Sequence, residues 1–598
     1  MTKVHYWQNL PNELLEKIFG YIAGPKLSWL ESAEALAESQ LVCRKWYYCA
    51  RFEQTKSLKS IKLKRYTVRK FIKMLERTSD TSRLGEYVRN VDFGHTIKYE
   101  AKNSLDVILK HIPNVETVGS LENSSFKSYY HVWDSILESN TEFPYLKQIF
   151  LGKWRIQDKA KYTKLALKSK DSLASLVLFP GSGDINQDTD YCALKKKMHE
   201  FKSLEQLQLW GDDTMNSSLI TEMDDIINAG HPTVYSLKLD SCDFSNNNSY
   251  TKKISKNNTI TNLHIVDSML SISTIKYFAA KLKSLEALEY SICFENDCES
   301  ITGEEHSQWW NEVARLPCQR YDMCIDYWNA QDYLHLIRGG ASLLSTIQTG
   351  PTELNLNITA GLDKPHVFKM TKNNSCVRLF EMETRKKFLE SVDFNQIYHC
   401  IQPNLPDIIK ISSSASLEYI FKKTRTDMMH KYMNWNILDF VIAVIGNKPK
   451  SVVHLDGMVF SDVKDTMQMT QGLVSGKANV SELKLSNCII HSNKLPEVSL
   501  KLPQVNRLIV DNCEIMSENE KQLEISLSTT KLGRLELNLE NQPCTIVVST
   551  DISEKTYKYD NGTYQEVAKE EANDTFIYIR CKALKSLVVS GEQVFETN

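Results

Sequence analysis

The chain has 598 residues, of which 42% are hydrophobic and 24% charged, and its formal net charge at pH 7 is -2. This length is too great for one hydrophobic core, so it predicts several domains or one extended array. The nearly balanced charge gives no reason to expect nucleic acid or an anionic membrane as a partner.

Cysteines and apolar segments bear on the cellular compartment. The sequence has 14 Cys and no Cys-x-x-Cys pair, and Met1 to Asn9 contain no apolar segment typical of a secretory signal. The longest strongly apolar run, Ile437 to Ile445, includes Asp439 and is too short to span a bilayer. These features predict reduced thiols, no membrane segment, and a location in the cytoplasm, the nucleus or both.

The first amphipathic pattern of the chain begins near residue 10. Leu14, Ile18 and Ile22 are four residues apart and form one row of a predicted helix, with Leu15 and Phe19 in a second row beside it. Proline is well placed in a first helical turn, where a missing N–H costs nothing, so position 11 suits the helix start.

A second amphipathic pattern follows, in which Val42, Trp46 and Ala50 form a row with the same spacing and Leu41 lies beside it. The segment between the two patterns, Glu31 to Gln40, is rich in Ala and Glu, which favour helix. The pattern predicts two or three short helices with more apolar surface than they can bury. Such surface usually meets a partner, although it could also cap the domain that follows.

The two ends of this unit resemble an F-box. Leu-Pro-x-Glu-Leu-Leu-x-x-Ile-Phe-x-x-Ile spans Leu10 to Ile22, and Leu-Val-Cys-Arg-x-Trp spans Leu41 to Trp46, with a spacer longer than usual in Ala23 to Leu30. The resemblance implies docking on the Skp-family adaptor and, through it, on cullin and RING subunits of a ubiquitin ligase. Carried over by position, the adaptor-binding residues would be Leu10, Pro11, Leu14, Ile18, Ile22, Leu41, Val42, Cys43 and Trp46.

We assign residues 1–55 to the F-box and residues 56–105 to a linker and the cap of a repeat array. Lys56 to Lys73 are dense in cations, and the intervening apolar residues predict a strand followed by a helix. A basic binding patch is one interpretation of this stretch. A charge run of this kind is more often a solvated outer face, which is the interpretation we adopt.

A short motif with the pattern Φ-x-x-Φ-x-Φ, where Φ is an apolar residue, recurs along the rest of the chain, residues 106–598. Its central apolar residue falls at positions 149, 176, 207, 237, 263 and 288, and again at 483, 508 and 535. A fixed motif that returns every 25 to 31 residues is typical of a solenoid. Helical patterns lie between copies, for example at Ser218 to Ala229 and Ser273 to Leu282.

A small residue stands three positions beyond the last apolar residue of several copies: Cys242, Ser268, Cys293, Cys488 and Cys513. Leu-x-x-Leu-x-Leu-x-x-Asn/Cys resembles the leucine-rich repeat of the cysteine-containing type. We therefore interpret these cysteines as structural, filling a buried position where a strand ends, and not as metal ligands or nucleophiles.

The predicted fold class is α/β: an N-terminal helical F-box, then a leucine-rich-repeat solenoid, or horseshoe, with a parallel concave sheet and outer helices. Residues 300–450 keep the period poorly and predict irregular or inserted repeats. Asp551 to Asp574 are polar and predict a loop or a degenerate repeat.

Residues that flank the apolar positions of each strand should point out of the concave sheet, because strands alternate their faces. The mixture of both charges with a few aromatic and Arg side chains suits a protein partner. The candidate substrate-binding residues are Phe150, Gln208, Trp210, Lys238, Asp240, His264, Glu289, Lys484, Arg507 and Arg534.

No catalytic motif stands out: the sequence has no Gly-x-Ser-x-Gly, no phosphate-binding loop and no His-Glu-x-x-His. We expect no enzyme activity, no cofactor and no metal. The first hypothesis is a substrate receptor that holds an unknown protein near a ubiquitin-transferring enzyme. The alternatives are a repeat scaffold without a role in degradation, and a hydrolase or transferase with an unrecognised site.

Overall fold

A computed structural model of the chain describes residues 10–23, 29–63, 65–77, 84–93, 102–120, 130–138, 143–151, 156–180, 189–211, 219–244, 254–294, 303–327, 333–347, 352–360, 366–373, 378–384, 394–402, 406–413, 435–445, 451–460, 476–517, 522–539, 545–560, 562–568 and 576–597. The chain divides into two compact units, Met1–Ser284 and Leu285–Asn598. Among the described helices, none is long and apolar enough to cross a membrane.

Helices and short strands alternate in the first unit. Its helices are α1 Asn12–Ile22, α2 Trp29–Ser39, α3 Arg44–Leu58, α4 Arg65–Arg77, α5 Lys102–His111, α6 Tyr130–Glu138, α7 Ile156–Lys168, α8 Thr189–Lys196, α9 Leu219–Ala229 and α10 Ile272–Lys281. Its strands are β1 Ser60–Leu63, β2 Asn90–Phe93, β3 Thr117–Ser120, β4 Gln148–Leu151, β5 Ser175–Leu178, β6 Gln206–Trp210, β7 Ser236–Asp240, β8 Asp243–Phe244, β9 Asn262–Val266 and β10 Met269–Leu270.

The main strands of this unit pair in parallel, and neighbouring strands begin at equivalent positions. Near the start of each strand, one carbonyl accepts hydrogen bonds from two consecutive backbone N–H groups at the start of the next strand. The carbonyls belong to Lys59, Arg89, Glu116, Lys147, Ala174, Glu205 and Tyr235, which are 27 to 31 residues apart. This ladder begins at β1, within the segment assigned from sequence to a linker and cap.

The register of the strands agrees with the repeated motif. Leu176 pairs with Leu207, Leu207 with Leu237, and Leu237 with Leu263, and all four side chains are buried. The equivalence of these positions, predicted from spacing alone, is therefore confirmed. Successive helices from α4 to α8 pack against one another, so each strand–helix unit buries its apolar faces against its neighbours.

The turns after β7 and β9 use the small residues noted in the sequence, Cys242 and Ser268. Cys242 Sγ donates to the carbonyls of Leu209 and Asp240 at 3.5 Å, and Cys242 N donates to Ser268 Oγ at 2.9 Å. The preceding residues, Ser241 and Asp267, have φ of 54° and 45°, which reverses the chain there. A buried hydrogen-bonding group at this position satisfies backbone atoms where the strand ladder stops.

The second unit continues the alternation but contains longer strands. Its helices are α11 Gly303–Val313, α12 Tyr333–Thr346, α13 Phe394–Ile401, α14 Trp435–Ile445 and α15 Leu495–Lys501. Its strands are β11 Ala287–Phe294, β12 Arg320–Tyr327, β13 Glu353–Ala360, β14 His366–Lys372, β15 Arg378–Thr384, β16 Ile408–Ser413, β17 Val452–Asp456, β18 Val459–Phe460, β19 Asn479–Ser486, β20 Ile489–His491, β21 Gln504–Asp511, β22 Glu514–Met516, β23 Gln522–Asn538, β24 Thr545–Ser549, β25 Glu554–Asp560, β26 Thr563–Val567, β27 Phe576–Val589 and β28 Glu592–Glu596.

The predicted all-parallel sheet is wrong for this unit. β14 runs antiparallel to both β13 and β15, although β15, β16, β17, β19, β21 and β23 pair in parallel. Only five residues, 361–365, connect β13 to β14. A parallel connection needs a crossover of a dozen or more residues, so this short link permits only an antiparallel neighbour.

The C-terminal part departs from the strand-plus-helix pattern as well. In the described residues between 522 and 597 all regular elements are strands, and β24–β25, β25–β26 and β27–β28 are antiparallel pairs. Asp551 to Asp574, expected to be a loop or a degenerate repeat, contains the antiparallel hairpin β25–β26. Polar, Thr- and Tyr-rich strands of this kind suit a sheet with one solvated face.

A close helix–helix contact in the second unit depends on a glycine. A Cβ built on Gly339 of α12 would lie 1.8 Å from Nε1 of Trp310 on α11, a side chain that is 1% exposed. We expect Gly339→Ala to lower the free energy of unfolding by about 2 kcal/mol, because the indole must move out of a packed site.

Chemical denaturation followed by tryptophan fluorescence measures this change. Gly20→Ala in α1 is the matched control, since nothing lies within 4 Å of its added Cβ. That substitution should be neutral or stabilising because Ala favours helix. Equal effects of the two substitutions would contradict the packing argument.

Candidate partner-binding surfaces

The three N-terminal helices share a small core. Leu15 and Phe19 of α1, Leu36 of α2 and Ala50 of α3 have no exposed surface, and the half-buried Trp46 packs edge-on against Phe19 with ring centroids 5.2 Å apart. The row Leu15–Phe19 therefore turns inward. In the other predicted row of α1, Leu14 is exposed, whereas Ile18 and Ile22 pack partly against this core.

Several predicted adaptor-binding residues lie on the outside of these helices. Leu14, Leu41 and Val42 are 46%, 86% and 54% exposed, and Pro11 is exposed as well. Leu10, Ile18, Ile22, Cys43 and Trp46 are half-buried. Large apolar side chains with such exposure have no stabilising role in the isolated helices, so this edge has the character of a docking surface.

Hydrogen bonds fix the tip that carries Leu41 and Val42. Their backbone N–H groups donate to the carbonyls of Glu38 and Ser39, at 3.1 and 3.3 Å, and form a tight turn at the end of α2. Cys43 then caps α3, its Sγ accepting from Trp46 N at 3.5 Å. The two apolar side chains are thus presented on a defined backbone, which reduces the entropy lost on binding.

Contacts between helices hold this tip in place. Gln54 of α3 donates to the carbonyl of Ala33 in α2 at 2.8 Å, and Gln40 donates to Gln54 Oε1 at 2.8 Å. Lys45 donates through Nζ to the carbonyl of Leu10 at the start of α1. The start of α1, where Pro11 is the residue before the first helical one, is therefore tied to α3.

The resemblance to the F-box motif did not single out several exposed aromatic residues of these helices. Tyr21 of α1 is 74% exposed, and Tyr48 and Phe52 lie one turn apart on α3 with 60% and 52% exposure. The Nζ of Lys56 lies 4.4 Å from the centre of the Phe52 ring. Their spacing on the helices, four residues for Tyr48 and Phe52, was the available signal.

The strand face of the first unit carries a row of polar residues. Gln208, Lys238 and His264 are paired in register on β6, β7 and β9, and all three are half-buried. Trp210 is also half-buried, at the end of β6. Phe150 on β4 is half-buried above Gly119, where an added Cβ would lie 2.8 Å from its Cγ.

Asp240 is not an exposed contact residue as predicted, since it is only 7% exposed. Its Oδ2 accepts from Lys238 Nζ at 2.8 Å and from Gln208 Nε2 at 3.2 Å. The carboxylate lies at the end of β7, where these two longer side chains cover it. Asp240 therefore orients Lys238 and Gln208 and leaves them as the groups a partner could reach.

A charged ladder crosses the strand face at the C-terminal end of the second unit. Arg507 contacts Glu482 Oε2 and Glu536 Oε2, both at 3.0 Å, and its Nε donates to Glu536 Oε1 at 3.0 Å. Arg534 Nε contacts Glu536 Oε1 at 2.5 Å. The hydrogen bond from Arg507 lowers the pKa of Glu536, so this stabilisation is present above the usual Glu pKa and is lost as pH falls.

All four of the predicted substrate-binding residues of this unit are therefore already paired. Arg507 and Arg534 share Glu536, and Lys484 contacts Asp511 at 2.9 Å, which lowers the pKa of that carboxyl. Glu289 on β11 contacts Arg320 at 3.4 Å. A partner would have to replace these ion pairs, so they favour specificity over affinity.

An aliphatic row lies on the same face of β15, β16 and β17. Leu379 pairs with Ile408, and Ile408 with Val452, and all three side chains are half-buried. Neighbouring strands are about 4.8 Å apart, so the row spans roughly 10 Å. Prediction from sequence missed it because the repeat period is lost there.

Two lysines flank the aliphatic row. Lys369 on β14 pairs with Glu381 on β15, and Glu381 pairs with Lys410 on β16. Glu381 and Lys410 lie two residues beyond Leu379 and Ile408 in the same strands. In the part of the chain that the structure describes, neither Lys369 nor Lys410 is within 4.0 Å of a carboxylate, and both are half-buried. Cations beside an apolar strip are suited to a partner segment that carries acidic and apolar side chains.

No group of three or more metal-ligating side chains occurs among the described residues. Ten cysteines are described as free thiols, and Cys293 lies where the structure does not describe side chains. Among the described residues, the features that suit a function are therefore the apolar and charged faces described above, which suit binding.

Comparison with known proteins identifies one part of the chain. Residues 7–54 match the F-box-like family model, which covers α1, α2, most of α3 and the exposed edge described above. No curated protein matches the chain. The N-terminal helices are therefore an F-box-like domain, and domains of this kind typically bind Skp-family adaptors.

Proposed function

We propose that the chain is a substrate-recognition subunit of an SCF-type cullin–RING ubiquitin ligase. The single observation that supports this most is the exposed apolar edge of the F-box-like helices, where Leu14, Leu41 and Val42 are 46%, 86% and 54% exposed. On this proposal the edge docks on the Skp-family adaptor. Cullin and RING subunits supply the ubiquitin-transferring machinery, and the chain itself is not an enzyme.

We further propose that the strand–helix array is a leucine-rich-repeat solenoid that holds the substrate. Support comes from the carbonyl ladder with its 27 to 31 residue spacing, and from the buried Cys or Ser that ends successive strands. Such an array is a rigid spacer. It would raise the local concentration of a bound protein near the enzyme that modifies it.

The free thiols support a location in the cytoplasm or nucleus. None of the ten cysteines that the structure describes is in a disulfide, and Cys242 and Cys488 among them are buried at turns. Reducing compartments preserve such thiols, whereas secreted chains with many cysteines usually form disulfides.

Co-purification tests the function. The full chain expressed in cells should recover the Skp-family adaptor together with cullin and RING subunits, and the complex should ubiquitinate bound proteins when supplied with the other enzymes. Recovery of the adaptor without cullin would favour a scaffold that plays no part in degradation. Failure to bind any Skp-family adaptor would contradict the proposal.

The aliphatic row and its lysines give a test of the substrate face. We expect Lys369→Glu with Lys410→Glu to reduce recovery of substrates about tenfold, since reversed charges would repel acidic groups of a bound segment. The measurement is quantitative capture from cells in which cullin activity is blocked, so that substrates are not degraded. Adaptor binding should be unchanged.

Lys70→Glu with Lys73→Glu is the matched control for this double substitution. Both lysines are exposed on α4, in the basic stretch interpreted as a solvated face. This control should recover the same proteins as the wild type. Substrate recovery that is unaffected by reversal at 369 and 410 would exclude these lysines from the substrate face without affecting the adaptor result.

A further inference from the structure

Two cysteines face each other across neighbouring turns of the second unit. Cys488 follows β19 and Cys513 follows β21, and the pairs Ser486–Asp511 and Ile489–Glu514 on either side are in register. The residues before them, Asn487 and Asn512, have φ of 50° and 51°, so the two turns have the same backbone conformation. The thiols therefore occupy equivalent positions in adjacent layers.

A hydrogen bond between these layers places the two cysteines side by side. Cys488 N donates to Cys513 Sγ at 3.4 Å, so the sulfur of Cys513 lies against the backbone of Cys488. Neighbouring strands are about 4.8 Å apart. Disulfides form between Cα atoms about 4.4 to 6.8 Å apart, a range that includes this spacing, so the two positions are suited to a disulfide.

The two thiols differ in their surroundings. Cys488 is fully buried, and the adjacent Cys513 together with burial raises its pKa. Cys513 is partly exposed, and hydrogen bonds from the Cys488 thiol and backbone N–H lower its pKa. Cys513 is thus the thiol that ionises and meets solvent first, and Cys488 is held behind it.

We propose that Cys513 and Cys488 form a modification site that takes a hydroperoxide and closes a disulfide between the two layers. Its oxidised form would join the turn after β19 to the turn after β21, directly beside the Lys484–Asp511 ion pair of the strand face.

The chemistry proceeds in two steps. The Cys513 thiolate attacks the terminal oxygen of the hydroperoxide, so an S–O bond forms, the O–O bond breaks, and the alcohol leaves after taking a proton. Cys488 then loses its proton and attacks the Cys513 sulfenic acid, so the S–S bond forms and water leaves. Overall, two thiols lose two electrons, and the peroxide is reduced to alcohol and water.

The first unit contains a natural comparison for this site. Cys242 and Ser268 occupy the same two positions, and Cys242 N donates to Ser268 Oγ at 2.9 Å, as Cys488 N does to Cys513 Sγ. Burial raises the pKa of Cys242 to about 12. With a hydroxyl in place of the second sulfur, this turn cannot form a disulfide and should resist peroxide.

Graded hydrogen peroxide applied to the folded full chain tests the proposal. After alkylation of remaining thiols and proteolysis, mass spectrometry should find a Cys488–Cys513 linked peptide that dithiothreitol removes. Loss of free Cys513 should be at least about tenfold faster than loss of free Cys242, as the thiolate is the reactive form. Persistence of alkylatable Cys513 at peroxide levels that oxidise Met516, an exposed methionine, would overturn the proposal.

Variants separate the steps. Cys488→Ser should leave a Cys513 sulfenic acid that dimedone traps, and Cys513→Ser should abolish both the adduct and the linked peptide. Cys513→Ser reproduces the Ser268 arrangement, so the turn should fold. Ser268→Cys should create a second linked pair with Cys242. A linked peptide that appears only after denaturation would contradict the role of the folded turns.

Discussion

Replacement of Lys281 by Ala is expected to lower the free energy of unfolding by about 3–5 kcal/mol, the usual cost of breaking a buried ion pair. Lys281 on α10 is fully buried, and its Nζ lies 2.8 Å from Oδ1 of Asp224 on α9, which is 4% exposed as a residue. Without the ammonium group, the carboxylate would remain in the interior with too few partners. The cost is therefore that of an uncompensated charge.

Further hydrogen bonds surround the pair and involve both of its members. Tyr277 donates to Asp224 Oδ1 at 2.7 Å, and Lys281 also donates to Asn228 Oδ1 at 2.5 Å and Ser255 Oγ at 3.0 Å. The network joins α9, α10 and the segment before β9. Removal of Lys281 would leave this network only partly satisfied, and a partly satisfied buried network destabilises a fold more than a purely apolar contact does.

Urea denaturation followed by circular dichroism measures the effect of Lys281→Ala. Lys147→Ala is the control, because Lys147 contacts Glu116 at 2.9 Å with 57% of its side chain exposed, and surface pairs contribute only about 0–1 kcal/mol. Lys281→Met combined with Asp224→Leu should recover most of the stability. A loss at Lys281 no greater than at Lys147 would show that the buried pair does not stabilise the unit.

Features set by local spacing could be predicted from the sequence. The positions of Leu207, Leu237 and Leu263 in neighbouring strands follow from a repeated motif, because apolar residues two apart share one face of a strand. The buried turn position of Cys242 follows from the same motif. Each of these predictions depends only on residues within one repeat and the next repeat along the chain.

Features that depend on distant residues could not be predicted. Lys281 and Asp224 are 57 residues apart in the sequence. Taken alone, each is the kind of charged residue that usually lies on the exposed face of a helix. The burial of Asp240 depends on Lys238 and Gln208, which belong to two strands. The aliphatic row can be recognised only when β15, β16 and β17 are placed in register. The antiparallel β14 interrupts the repeat before them, so spacing along the sequence does not give that register.

The F-box motif names candidate docking residues but does not indicate which of them face outward. Leu14 and Leu41 are exposed, whereas Trp46 is half-buried and covers Phe19 within the helical core. A Trp46 substitution would therefore disturb the three helices as well as any interface. The test of docking has to use the exposed residues.

Leu14→Ala combined with Leu41→Ala is expected to weaken binding to the Skp-family adaptor by about 4 kcal/mol, or about 1,000-fold in Kd, because buried apolar anchors typically contribute about 2 kcal/mol each. The two side chains come from different elements, α1 and the turn before α3, and are 46% and 86% exposed in the free chain. Their loss removes contact area with a partner and little from the core of the domain.

Calorimetry or surface plasmon resonance with purified adaptor and the full chain measures this change. Leu500→Ala is the matched control, an equally conservative change at a leucine that is 56% exposed on α15. Circular dichroism should show the same helix content and melting temperature for the double variant and the wild type, since Leu15 and Phe19 still fill the core. Adaptor affinity that is equal in the folded double variant, the control and the wild type would place the docking surface elsewhere and remove the main support for a ligase receptor.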